Sequence, residues 1–271
     1  MIRRLRSVLA LALLVGCSPP FGGAKELELA DEGPLATPSE DDKVLEAGKD
    51  PPKESPPTNV GGHLPLQVGE PAFCEPAAFG QKEVTLTTPG IANLHAFKLG
   101  SVMLAGLGVG DSDVASVEAL AKAQAPSLTA AEKSCTFYYN DGNDAAKTAF
   151  NWYYVSKPSG SSYASKVTEY SKVLGNVFDA SPTSFLSCAS AHKYVAMGCD
   201  GMHHRGPSVF AAVLAYSGCS PEHATAIVNA VWGENGIEPQ MRIEIAKWAA
   251  DLGAQHPEQS SQLRQLLGGE Q

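Results

Sequence analysis

The segment Cys199-Asp200-Gly201-Met202-His203-His204-Arg205-Gly206-Pro207 concentrates an acid, two adjacent histidines and an arginine in a stretch that reads as a loop between two helices. Reactive side chains gather on loops held by a rigid scaffold. Two chemistries suit these residue types. Imidazole nitrogens and a carboxylate bind zinc or a similar divalent ion. On that reading His203, His204 and Asp200 are joined as candidate ligands by His192, one helix earlier, and by His223, in the first turn of the next helix. Alternatively His203 or His204 serves as general base with Asp200 holding its tautomer, which makes these three the candidate catalytic residues. The spacing matches no helical metal motif such as His-Glu-x-x-His. Asp, Gly and Pro also suit the loop that starts a helix for conformational reasons alone.

Other stretches carry weaker signals. Asn140-Asp141-Gly142-Asn143-Asp144 offers calcium-type oxygen ligands but lacks the spacing and closing glutamate of an EF-hand, and reads as a turn capping the next helix. The aromatic run Phe150, Trp152, Tyr153 and Tyr154 suggests a carbohydrate or peptide groove, although consecutive aromatics on a helix point in several directions and fill core. No Gly-rich phosphate loop, Gly-x-Ser-x-Gly elbow or catalytic-cysteine signature is read from the chain.

The pair His203-His204 followed by Pro207 resembles the paired-histidine motif of HNH-type nucleases of bacterial toxin modules. That resemblance implies a metal-dependent nuclease. The motif belongs on a β-hairpin, whereas helical sequence precedes it here and only His223 and His256 follow.

The N-terminus carries an address. Met1-Ile2-Arg3-Arg4-Leu5-Arg6 is basic, Val8 to Val15 is apolar, and the run closes on Leu14-Val15-Gly16-Cys17. These are the regions of a secretory signal, too short to span a bilayer. The ending resembles the lipobox of bacterial lipoproteins. The resemblance implies cleavage after residue 16, a diacylglycerol on Cys17 and a lipid-anchored partner membrane. Ser18 in place of aspartate implies the outer membrane. Each acyl methylene contributes about 0.8 kcal/mol, so two or three chains give lasting attachment.

From residue 17 to 66 the chain is rich in Pro, Glu, Asp, Gly and Lys and nearly free of aromatics, which predicts a disordered acidic tether with a span of roughly 40 Å. The leader's three arginines are lost with it, taking the formal charge from −9 to −12. Such a balance is repelled by phosphate backbones and argues against nucleic acid as a partner.

Residues 67–271 suffice for one domain with a core. Ser220-Pro221 caps a helix whose face carries Ala224, Ile227, Val228, Val231 and Trp232, stopped by Gly233. Met241, Ile245, Trp248 and Leu252 repeat the pattern, as do Tyr163, Val167, Tyr170, Leu174 and Val177. Further helices are predicted at Ile91 to Leu107, Asp113 to Gln124, Thr129 to Tyr139, Asp144 to Val155, Pro182 to Met197, Pro207 to Ser217 and Glu258 to Leu267, with a strand at Glu83 to Thr87. The first of these is apolar almost all round and reads as a central buried helix. The expected fold is all-α, a single domain of roughly eight to ten helices.

In an exported chain Cys74, Cys135, Cys188, Cys199 and Cys219 are all disulfide candidates, their odd number leaving one thiol over. One bridge is expected within the cluster Cys188, Cys199, Cys219, worth about 3 kcal/mol. The function expected is a helical binding or scaffolding domain displayed on a tether to a protein or envelope partner. The alternative is a metal-dependent hydrolase, of the nuclease-effector kind, centred on Asp200, His203 and His204.

Overall fold

The computed structural model describes residues 64–110, 113–142, 144–155, 167–170, 178, 184–234 and 238–269. The predicted leader, Cys17 and the predicted linker as far as residue 63 fall outside them, as does most of the Tyr163-to-Val177 stretch, of which residues 167–170 are helical.

The domain is mixed α/β, which corrects the all-α expectation. Strands β1 (Glu83–Val84), β2 (Ala92–Leu99), β3 (Val102–Gly108), β4 (Thr136–Asn140), β5 (Asn151–Tyr154) and β6 (Tyr194–Cys199) form one six-stranded sheet in the order β1-β2-β3-β6-β4-β5. The β1–β2 and β2–β3 pairs are antiparallel, while β3, β6, β4 and β5 run parallel. The helices are α1 (Pro76–Gly80), α2 (Val114–Gln124), α3 (Asp144–Ala149), α4 (Phe185–His192), α5 (Arg205–Tyr216), α6 (Pro221–Trp232), α7 (Glu238–Gln255) and α8 (Pro257–Leu266).

The strands were hidden because every residue of β4 and β6 is buried. Parallel strands covered on both faces read as unbroken apolar runs, and a short run of that kind does not distinguish strand from buried helix. The stretch Ile91 to Leu107 is therefore a hairpin and not a central helix: Leu99 faces Val102 across a turn at Gly100-Ser101. Gly100 sits at φ +51°, and a Cβ there would lie 2.5 Å from the Gly268 backbone nitrogen, so glycine is required at this turn. The helix predicted from Pro182 to Met197 stops at His192, where Lys193 takes a left-handed conformation (φ 56°) and turns the chain into β6. That from Thr129 to Tyr139 is a 3-10 turn, Ala130–Cys135, followed by β4. That from Asp144 to Val155 is α3 followed by β5. The aromatic run consequently lies mostly on a strand: Phe150 is buried, Trp152 and Tyr153 are half-buried and Tyr154 is exposed.

Helices whose caps are local came out close to their expected bounds. Ser220 Oγ accepts the His223 N–H at the start of α6, and Pro221 occupies the first helical position. Helix α5 is the central one, with all twelve residues buried. It packs on α6, α7 and the middle of the sheet, while α2 and α4 also pack on β6.

Two disulfides staple the fold, Cys74–Cys219 and Cys135–Cys188, and Cys199 remains a buried free thiol. The bridge expected within Cys188, Cys199 and Cys219 does not form. Cys188 and Cys219 lie in separate parts of the structure and each meets a distant partner, 53 and 145 residues away in sequence. Chain entropy makes closures of this size worth about 4 to 5 kcal/mol each. Disulfides of this kind mark a chain matured in an oxidising compartment. No helix among the described residues is long and apolar enough to cross a membrane.

Candidate functional site at the carboxyl end of β6

Strand β6 lies between β3 and β4, with all three running parallel. The chain leaves β3 toward α2, β4 toward α3 and β6 toward α5, so the connections diverge at the carboxyl ends of these strands. In open α/β sheets this divergence is where ligands bind.

Strand β6 ends on Cys199, 2% exposed. Five residues follow, and α5 then opens on Arg205. The Gly206 N–H donates to Cys199 Sγ at 3.3 Å, so the thiol sits against the amino end of the buried helix. Among the described residues, the backbone N–H groups of Gly201, Met202, His203 and Arg205 donate to no protein acceptor. Successive unbonded amides at a helix start form a concave patch of positive potential that suits an oxyanion.

Met202 shapes this loop from beneath. It is fully buried in a left-handed conformation (φ 52°). A Cβ on Gly206 would fall 2.3 Å from its sulfur, and one on Gly106 would fall 2.6 Å from its methyl carbon. The two glycines thus provide the space into which the Met202 side chain folds.

Arg205 is 3% exposed and held by three groups. Its Nη1 donates to Asp141 Oδ1 (2.8 Å) and to the Val155 carbonyl (2.9 Å), and its Nη2 lies 3.4 Å from Asp200 Oδ2. Burial opposes the guanidinium charge. The hydrogen bond to Asp141 and the charges of Cys199, Asp141 and Tyr170 outweigh that, raising its pKa above the ordinary arginine value. Asp200 is fixed in turn by β4: Asn140 Nδ2 donates to its Oδ1, and the Tyr138 hydroxyl shares its proton between that oxygen (2.9 Å) and the Val109 carbonyl (2.8 Å). Loops from all three central strands therefore meet around Cys199 and Arg205.

The sequence-predicted residues are dispersed. Asp200 belongs to this cluster. The His203 and His204 rings are exposed, with centroids 6.2 Å apart and planes at 84°. His203 Nε2 lies 3.3 Å from Asn93 Nδ2. His192 is tied to Glu132 (2.6 Å) and Ser127 (2.9 Å) at the end of α4. The Thr129 N–H and hydroxyl, followed by His192, pull the Glu132 carboxyl down to about 2. His223 belongs to a third network, with Nδ1 2.8 Å from Glu70 Oε2 and Nε2 3.0 Å from the Leu64 carbonyl. Among the described residues no group of three His, Cys, Asp or Glu side chains is arranged to hold a metal ion.

The sequence reading names Cys199, Arg205, Asn140 and Asp141 but does not join them, with Tyr138, into this candidate site. The signal was present as a cysteine, five intervening residues and an arginine that opens a helix. It was obscured because β6 was read as helix and Cys199 was counted among the disulfide candidates. No family model, curated protein or solved structure matches this chain.

Proposed function

We propose that this protein is an envelope lipoprotein, anchored through Cys17, whose folded domain is a cysteine-dependent hydrolase of phosphate monoesters. The observation that carries the reading is the free Cys199 thiol at the end of the central strand, within a loop of unbonded amides and next to Arg205. The thiolate is the nucleophilic form of cysteine, and amide donors and a guanidinium place positive potential beside the sulfur. The same donors can receive the three peripheral oxygens of a phosphoryl group as charge develops on them.

The chemistry proceeds in two displacements. Deprotonated Cys199 Sγ attacks phosphorus, forming an S–P bond as the P–O bond to the alcohol or phenol breaks. The leaving oxygen keeps that electron pair and takes a proton from water. Water then attacks the thiophosphate, a new P–O bond forms and the S–P bond breaks, which releases inorganic phosphate and restores the cysteine. The two disulfides keep the other four cysteines of the folded domain away from this thiol in an oxidising compartment.

p-Nitrophenyl phosphate tests the reading, because its phenolate leaves without a protein acid. Turnover by the disulfide-intact domain, abolished in Cys199→Ser while tungstate still binds, supports it. Turnover that survives in Cys199→Ser overturns it. A second reading is a displayed domain that binds phosphoryl groups without cleaving them, and it is favoured by the two carboxylates that already engage Arg205. It requires tungstate binding with no turnover by the parent protein. The anchor is tested separately by mass spectrometry of the exported chain for acylation at Cys17.

A further inference from the structure

His192 belongs neither to the loop after Cys199 nor to the His223 network, yet both of its ring nitrogens are engaged. Nε2 lies 2.6 Å from Glu132 Oε1, and Nδ1 lies 2.9 Å from Ser127 Oγ. Hydroxyl, imidazole and carboxylate in that order make a nucleophile, its base and the group that orients the base.

Each member is fixed by its own surroundings. Ser127 stands third in the turn Ala125 to Leu128, which the Leu128 N–H closes on the Ala125 carbonyl (3.0 Å), with Pro126 second. Lys122 Nζ clamps this turn by donating to the Pro126 and Leu128 carbonyls on either side of Ser127 (2.8 and 3.0 Å). His192 ends α4, and Cys188, four residues before it, lies on the same helix face. The Cys135–Cys188 bridge therefore ties that face to the 3-10 turn that carries Glu132. Glu132 Oε2 accepts the Thr129 N–H and hydroxyl (2.7 Å each), which leaves Oε1 for His192.

Charge decides the tautomer. The two Thr129 bonds keep the Glu132 carboxyl ionised, and a carboxylate only accepts. Nε2 of His192 therefore carries a proton, and in the neutral imidazole Nδ1 is left to accept the Ser127 hydroxyl. The base is sheltered and the nucleophile is open: the His192 side chain is 9% exposed, while Ser127 is exposed. Beside the turn lies a cleft of about 780 Å³ whose lining includes Lys122, Leu128 and Thr129.

We propose that Ser127, His192 and Glu132 form a hydrolytic centre for carboxylic esters, with Ser127 as nucleophile, His192 as general base and Glu132 as the positioning residue. It is independent of the phosphoryl reading of the loop after Cys199. Ser127 Oγ bonds to the ester carbonyl carbon as its proton passes to His192 Nδ1 and the carbonyl pair moves onto oxygen. Collapse restores the carbonyl and breaks the bond to the alcohol, which leaves with the proton from His192. Water then gives a proton to His192 and attacks the acyl-serine, and the serine oxygen leaves with that proton, releasing the carboxylic acid.

The test uses the exported, disulfide-intact protein and diisopropyl fluorophosphate, whose fluoride leaves as a serine oxygen bonds to phosphorus. Peptide mapping should place one adduct on Ser127. His192→Gln should slow its formation by about a hundredfold, the scale of losing a general base. Hydrolysis of p-nitrophenyl acetate should fall to background in Ser127→Ala, a change at an exposed residue that leaves melting unaltered. Glu132→Gln keeps an oxygen for the Thr129 amide, and should lower kcat by about tenfold or more with KM unchanged. No adduct on Ser127 of the folded parent overturns the inference. So does labelling of Ser127 at the same rate in His192→Gln, which would mark an ordinary surface serine, or ester hydrolysis by Ser127→Ala equal to that of the parent. An unchanged kcat in Glu132→Gln overturns the positioning role.

Discussion

The corner around His223 and the loop after Cys199 are both built at the start of a buried helix, yet they treat their polar groups in opposite ways. At His223 each ring nitrogen meets an acceptor, Glu70 on one side and the Leu64 carbonyl on the other, while Glu70 also receives the Ser220 N–H and the Gln67 N–H. At Cys199 the helix start keeps several backbone donors without protein acceptors and sets a thiol and a guanidinium beside them. The first corner is closed on itself and ties residues 64–70 to α6. The second, on the function proposed above, would receive a phosphoryl group. The histidine-rich stretch draws attention to reactive side chains, whereas what separates the two corners is which polar groups the fold leaves without protein partners.

The sharpest way to break this comparison is Cys199→Ser. Turnover of p-nitrophenyl phosphate should fall by about a thousandfold or more, the scale of losing an enzyme nucleophile, with little change in melting. Equal activity in the variant would return the loop to a purely structural role.

Next in size is the Cys135–Cys188 bridge, which closes the turn before β4 onto α4. Replacing both with alanine should cost about 4 kcal/mol of unfolding free energy by denaturant titration. A cost below about 1 kcal/mol would show that the segment Lys133 to Cys135, with its three left-handed residues, is held by packing and not by the bridge.

The His223 corner predicts a pH signature. Burial disfavours the imidazolium, but Glu70 and the Leu64 carbonyl outweigh it and raise the pKa of His223 above 6.5. Burial likewise disfavours the Glu70 carboxylate, and the Ser220 and Gln67 amides, the Ser220 hydroxyl and His223 lower its pKa below 4.5. A raised histidine contributes stability that is complete below its unfolded pKa and is lost as pH climbs through the folded one. A depressed carboxylate contributes stability that is complete above its unfolded pKa and is lost as pH falls through the folded one. The pair therefore contributes most between about pH 4.5 and 6.5. Glu222 is the further acid that favours the His223 charge. Glu70→Gln should melt below the parent by the largest margin inside that window, with the gap narrowing above it. Removing one member of a buried pair costs about 3 to 5 kcal/mol. A gap that widens as pH rises above the window would show the histidine to be neutral in the fold.

The smallest effect belongs to the residues most conspicuous in the sequence. A His203→Ala, His204→Ala double variant changes two exposed rings and should alter stability by less than about 0.5 kcal/mol. Metal analysis of parent and variant should find the same content. Stoichiometric zinc lost on this substitution would contradict the dispersal of the histidines into separate networks.

The helical half of the molecule was legible because its signals are local. Ser220, Pro221 and the apolar face through Trp232 lie within one stretch, and the bounds of α6 follow from it. Apart from β1, which lies inside the strand expected at Glu83 to Thr87, the strands were not legible, and for the central ones the reason is that a buried parallel strand carries no alternation. Tyr194 to Cys199 becomes a strand only because β3 and β4 are present to pair with it. The site shared that fate. Asp200 was identified for its charge, while Cys199 was placed with the wrong partners, since pairing among cysteines depends on which helix ends the sheet brings together.

The amino-acid sequence by itself determined the capped helices and the acidic character, and it carries the lipobox-like run ending on Cys17 on which the proposed anchor rests, for each of these is written in neighbouring residues. Tertiary structure alone decided that Cys188 and Cys219 are used elsewhere, that Cys199 stays a thiol, and that its loop closes against Arg205 with amides to spare. The physical reason is range: caps and charge act over a few residues, whereas the order of strands in a sheet is set by contacts between distant segments, as where Met103 pairs with Tyr194.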